Sequence, residues 1–160
     1  LATVGIVAIS SSLTPFIGQN LGANKLDRIR IAINYSFVLS GVWGILIALP
    51  LLIFSNDFSN LFSYNAEVQI YLIDYLKIIS LSYIFWGWSN IASSAFNGYQ
   101  KPFIAMLIFL SRLFIITVPL VLIGNYYYGL TGILFGIMIS NVISGILSVI
   151  YTKTSLSLKI

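Results

Sequence analysis

Apolar residues run almost without interruption through five stretches, at about 1–23, 31–54, 68–97, 103–123 and 129–152, and polar residues gather in the short gaps between them. Each stretch approaches or exceeds the roughly 20 residues that carry an α-helix across a bilayer. None alternates residue by residue, as the strands of a membrane barrel do. Only helices satisfy their own backbone in lipid over runs of this kind. The pattern therefore predicts an all-α integral membrane protein, a polytopic bundle of five transmembrane helices forming one membrane domain over 1–160. The third stretch opens on polar turns at Glu67, Asp74 and Lys77, and the chain shows no internal repeat or low-complexity linker.

The charges orient this bundle. The 24–30 gap holds Lys25, Arg28 and Arg30, the 98–102 gap holds Lys101, and the tail after 152 holds Lys153 and Lys159. The 55–67 and 124–128 gaps hold no Lys or Arg. Basic gaps thus alternate with neutral or acidic ones, as the positive-inside rule requires. Residue 1 is expected on the outer side, Ile160 in the cytoplasm, and Tyr126, Tyr127 and Tyr128 in the outer aromatic belt.

Composition agrees: 59% of residues are hydrophobic and 8% charged, against about a quarter charged in a soluble domain. With no Cys and no His, disulfides, the usual zinc sites and histidine general bases are excluded. The chain opens on Leu1 without the basic leader and small-residue cleavage site of a signal peptide, so it is expected to be a piece of a longer protein that begins inside a membrane segment.

Two small-residue stripes stand out. Gly132, Gly136, Ser140, Ser144 and Ser148 recur every fourth position, and Ser36, Ser40, Gly44 and Ala48 repeat the device. Small side chains let helix backbones approach closely in lipid; tight packing and a surface that slides in a conformational cycle both fit. The third helix carries a different stripe. Tyr83, Trp86, Asn90, Ser93 and Asn97 fall at i, i+3, i+7, i+10 and i+14, on one polar-aromatic face that should avoid lipid. It has two readings, a cavity wall offering rings and amides to a ligand or a row of interhelical hydrogen bonds. Asn141 and Ser144 on the last helix are candidates for the same space.

Arg112 lies nine residues into the fourth helix, roughly 14 Å deep at 1.5 Å per residue. Such a placement costs about 2.5–3.5 kcal/mol unless relieved. It serves either as an anchor that snorkels or caps carbonyls, or as a charge facing a wet cavity. Asp74 and Lys77, at i and i+3, suggest an interfacial ion pair. No acid–base pair, nucleophile system or glycine-rich phosphate loop is present, so no enzymatic activity, cofactor or nucleic-acid partner is expected.

The stretch P-F-I-G-Q-N-L-G-A at 15–23, followed by K-L-D-R-I-R, resembles the signature that ends the eighth of twelve helices in the multidrug and toxic compound extrusion (MATE) family. Y-L-x-I at Tyr75–Ile78, A-F-N-G-Y at 95–99, R-L-F-I-I-T-V-P-L at 112–120 and G-L-T-G-I at 129–133 follow in the family's order. The resemblance covers essentially the whole chain. It implies the C-terminal lobe of a secondary antiporter, helices eight to twelve, with five of that lobe's six helices present. It also implies export of amphipathic, often cationic compounds by alternating access, with H+ or Na+ as coupling ion.

In that setting Pro15 loosens the first helix, Gln19 and Asn20 bond near its end, and Gly22 breaks it before the basic loop. NorM-type members carry an acidic residue near the position of Trp86; its absence points to the DinF-like branch, with the coupling site in the N-terminal lobe. The partners expected are the bilayer, that lobe and small amphipathic substrates, and the location a plasma membrane. A lipid-linked saccharide exporter of the same superfamily would be expected to show several cavity cations where this chain has Arg112. A non-transporting assembly subunit would explain the packing stripes but not the polar-aromatic face.

Overall fold

The computed structural model describes residues 3–62 and 64–157. Leu1, Lys159 and Ile160, to which the topology reading assigns sides or charge, lie outside the described residues. The helices are α1 (Val4–Gly22), α2 (Leu26–Ile53), α3 (Ser55–Phe62), α4 (Ala66–Ser80), α5 (Tyr83–Gly98), α6 (Pro102–Leu110), a π-helical segment (Ser111–Thr117) and α7 (Val118–Ser157).

α7 belongs to two spans, not one, its first limb continuing α6 and the π-helical segment. Gly129 has φ 58° and ψ −137°, a backbone that only glycine adopts readily, and there the chain doubles back. Thr117 bonds to Ser140 across the hairpin, Gly136 abuts Leu120, and Gly124 abuts Gly132. With the hairpin resolved and α4–α5 taken as one bent span, five membrane crossings result, as the apolar pattern predicts.

Three boundaries differ from that pattern. The second helix starts at Leu26 rather than near 31, so Asp27, Arg28 and Arg30 lie on its first turns. The 55–67 gap contains α3, whose Ser55 and Ser59 are buried while Leu61 and Phe62 are exposed. The third span is broken: α4 and α5 meet at 51°, and the Ser82 amide donates to the Ile79 carbonyl at the bend. The expected ion pair is also absent among the described residues, since Asp74 is half-buried while Lys77 points outward.

α5 is the centre of the bundle, packed by α1, α2, α6 and α7. Its contacts fix the directions. Thr14 meets Ser94 and Ile17 meets Gly98, so α1 runs parallel to α5. Phe37 meets Trp88 and Gly44 meets Ile84, so α2 runs antiparallel. Asn141 meets Ser82 and Tyr151 meets Phe96, so the last limb runs parallel again. The turns after α1 and α5 and the end of the last limb therefore share one end of the bundle, and that end carries Lys25, Lys101 and Lys153.

Both small-residue stripes are packing surfaces. Gly132, Gly136, Ser140, Ser144 and Ser148 are buried, and so are Ser40, Gly44 and Ala48. The buried hydroxyls do not obstruct this close approach, because they donate to carbonyls of their own helix: Ser40 to Phe37 and Ser144 to Asn141. A serine paired in this way behaves as a small residue at the interface. The outer surface is apolar instead, with Val38, Leu46, Leu122 and Ile150 each about half or more exposed. Oil outside and small or bonded groups inside is how a bundle built for lipid is arranged.

Candidate functional site

α5 has two unlike sides. Gly87, Ser89, Ile91, Ala92, Ala95, Phe96 and Gly98 are buried against the neighbouring helices. The opposite side carries Tyr83, Trp86, Asn90, Ser93 and Asn97, none of them buried, with Asn97 the most open. Asn90 Nδ2 donates to the Trp86 carbonyl at 2.8 Å, so this amide is bonded within its own helix and its carbonyl oxygen remains an open acceptor. The five residues thus form a continuous polar-aromatic strip, partly exposed at Tyr83, Trp86, Asn90 and Ser93 and open at Asn97.

The packed side is pinned by ties that sequence periodicity does not reveal. Trp88 Nε1 donates to the Phe37 carbonyl at 3.1 Å, and its ring meets Phe85 edge-on at 5.2 Å. Thr14 Oγ1 donates to the Ser94 carbonyl at 3.1 Å. A Cβ on Gly98 would come within 2.6 Å of Ile17, so glycine permits α1 and α5 to cross there. Nothing in the sequence marks Trp88 and Gly98 as structural residues, because a tryptophan beside a polar stripe and a glycine before a turn each have simpler uses.

The other candidates fall elsewhere. Asn141 donates to Ser82 Oγ at 3.0 Å, tying the last limb to the bend. Arg112 sits in the π-helical segment and lines a groove of about 560 Å³ between that segment and the last limb, bordered by Leu107, Phe114, Ser144, Leu147 and Ser148. None of the groove's lining residues comes from α5. The guanidinium lies 5.8 Å from the Phe109 ring centroid, and Thr117 Oγ1 donates to the Arg112 carbonyl five residues back. The π-helical turns from Ser111 to Thr117 are wider than α-helical ones, so side chains along this segment leave the register of a regular helix.

The α1 motif shapes a turn. α1 remains helical through Pro15, and Asn20 Nδ2 donates to the Phe16 carbonyl at 2.8 Å. Gln19 is exposed. Gly22 is the last helical residue, yet the left-handed position is Asn24, with φ 54°. The Lys25 amide returns to the Asn20 carbonyl and the Asn24 amide to Leu21, a Schellman turn. The end of α5 repeats it: Gln100 has φ 59°, the Lys101 amide bonds Phe96, and the Gln100 amide bonds Asn97. G-A-N-K and G-Y-Q-K therefore build the same turn at the same end of the bundle. The role expected of Gly22 as the breaker passes to Asn24, which tolerates this backbone through its short polar side chain.

Membrane-spanning helices packed on one another, with a polar strip that should avoid lipid, define a polytopic helical membrane protein. Residues 1–123 match the family model described as MatE. The chain belongs to the MatE family of multidrug and toxic compound extrusion proteins, which are transporters and not enzymes. A relative, the FAD transporter of Shewanella oneidensis, is 35% identical over 141 residues, which cover 88% of this chain and 31% of that protein. Multidrug export protein MepA of Staphylococcus haemolyticus is 30% identical over 137 residues, covering 85% and 30%.

The crystal structure of the Vibrio cholerae MATE transporter VcmN in its bent form superposes with a TM-score of 0.92 at 28% identity, over 98% of this chain and 36% of that one. At 19% identity, where the fold alone is comparable, an outward-facing and an inward-facing MATE family transporter give TM-scores of 0.92 and 0.89. The chain spans about a third of the length of the relatives it matches.

Proposed function

We propose that the chain is part of the C-terminal lobe, helices eight to twelve, of a plasma-membrane antiporter that exports bulky amphipathic compounds with planar rings, often cationic. The polar-aromatic strip on α5 carries this reading. Rings at Tyr83 and Trp86 offer stacking surface, and Asn90, Ser93 and Asn97 offer amide and hydroxyl partners that adapt to different ligands. The central position of α5 holds this wall rigidly. The near-equal likeness of the fold to outward- and inward-facing relatives is what a lobe moving as one body would give. The basic end, with Lys25, Lys101 and Lys153, faces the cytoplasm on the positive-inside rule.

Alternating access is driven by H+ or Na+, and the coupling carboxylate belongs to the N-terminal lobe, the DinF-like arrangement. Supporting this, the register from Gly98 puts the place of the NorM-type acid near Trp86, where no acid stands, and Asp27, Asp57, Glu67 and Asp74 are all off the α5 strip. No cofactor is required. A second reading, export of a flavin dinucleotide, is favoured by the FAD transporter among the relatives; the same rings would stack on an isoalloxazine. The MatE match argues against both a lipid-linked saccharide exporter and a non-transporting assembly subunit.

The test uses the full-length protein in cells lacking their own efflux pumps. Lowered accumulation of a planar cationic dye, collapsing with the proton or sodium gradient, supports the multidrug reading. Gradient-dependent release of FAD without any effect on dye supports the flavin reading. Neither activity from a well-expressed protein rejects both.

A further inference from the structure

At the basic end a cleft of about 290 Å³ opens between α2, the turn after α5 and the end of the last limb. Arg30 and Asn34 line it from α2, Tyr99 from the turn and Lys153 from the last limb, over an apolar floor of Ile33 and Leu156. Three elements distant in sequence thus bring two cations, an amide and a phenol to one concavity. Among the described residues none of these four side chains has a hydrogen-bond or ion-pair partner. Asp27, the acidic residue of the same helix, borders a separate hollow with Arg28. Tyr99 is half-buried, and burial pushes its phenol above the usual range, so it stays a neutral donor.

We propose that this cleft binds the phosphate of an anionic phospholipid headgroup. Arg30 offers a planar fork that matches phosphate oxygens, Lys153 supplies a second charge, and the Tyr99 hydroxyl and Asn34 amide complete the donor set. The headgroup is favoured over free phosphate because the two helices that carry the cations also present exposed apolar residues near them, Ile31 and Tyr35 on α2 and Ile150 and Tyr151 on the last limb, against which acyl chains can lie. Basic pockets at helix ends on one side of a membrane are suited to acidic headgroups. The site is separate from the α5 strip, and the proposal rests only on the membrane fold, so it stands or falls independently of the substrate.

The experiment is native mass spectrometry of the full-length protein, released from detergent with cardiolipin, phosphatidylglycerol, phosphatidylethanolamine or inorganic phosphate added. Wild-type protein should retain an anionic lipid in preference to phosphatidylethanolamine. The pair Arg30→Gln with Lys153→Gln should reduce that retention about tenfold, Lys77→Gln should leave it unchanged, and Arg30→Lys with Lys153→Arg should recover most of it. Equal retention by the wild type and the Gln pair overturns the proposal, and so does binding of inorganic phosphate without any lipid. Should the Gln pair fail to fold, Tyr99→Phe serves in its place: a loss of retention of a few-fold is expected, and none would count against the site.

Discussion

The two sides of α5 differ in burial and in side chains. One side is glycine, alanine, serine and two large apolar residues, closed against four neighbours. The other is rings, amides and one serine, partly exposed over four turns. Serine occurs on both, buried at Ser89 and half-exposed at Ser93, so polarity alone does not separate them. What separates them is size. The packed side is small wherever a backbone must approach, and the other side carries most of its rings and amides where no backbone comes close. A helix so divided can be immobilised through one face while the other remains available to a ligand.

Substitutions that exchange the characters of the two sides test this division. The largest effect is expected from Gly145→Leu on the last limb, because a Cβ there would already press on the Phe85 backbone. Forced overpacking costs about 1–3 kcal/mol and at times more, so the full-length protein should lose most of its membrane abundance and its cooperative melting in detergent. Trp86→Ala should do the opposite. Efflux should fall about tenfold, the equivalent of ~1.4 kcal/mol, while the melting temperature moves little.

Trp88→Phe removes the bond to the Phe37 carbonyl on the packed side. A stability loss of about 1 kcal/mol is expected, visible in thermal melting, with transport per folded molecule retained. Asn141→Ala should have the smallest effect, since a single interhelical hydrogen bond in a membrane averages about 0.6 kcal/mol. A double-mutant cycle with Ser82→Ala would measure it.

Much of this is legible in the sequence. Long apolar runs separated by alternately basic and neutral gaps dictate five crossings, and the every-fourth-residue spacing of small residues dictates which faces pack. The helical spacing from Tyr83 to Asn97 is enough to put those residues on one face, and α5 holds them there. The bend at Leu81–Ser82 is not legible, because neither proline nor glycine marks it. The π-helical segment is hidden for a related reason: its i−5 bonds leave no pattern in S-R-L-F-I-I-T, so counting regular turns misjudges where its side chains point. The left-handed residues of the two turns, Asn24 and Gln100, stand beside glycines that draw attention to themselves. Only the hydrogen-bond pattern shows which residue takes the unusual backbone.

The central claim is that the strip on α5 borders water while the opposite side is sealed. The 160 residues contain no cysteine, so once any cysteine in the rest of the full-length transporter is replaced, single cysteines can be introduced and probed with a membrane-impermeant thiol reagent in intact and inverted vesicles. Asn90→Cys, Ser93→Cys and Asn97→Cys should react in at least one vesicle orientation, and a bound planar substrate should protect them, whereas Ala92→Cys and Ala95→Cys should stay unreactive throughout. Labelling at positions 92 and 95 with none at 90, 93 and 97, in a protein that still transports, would contradict the account.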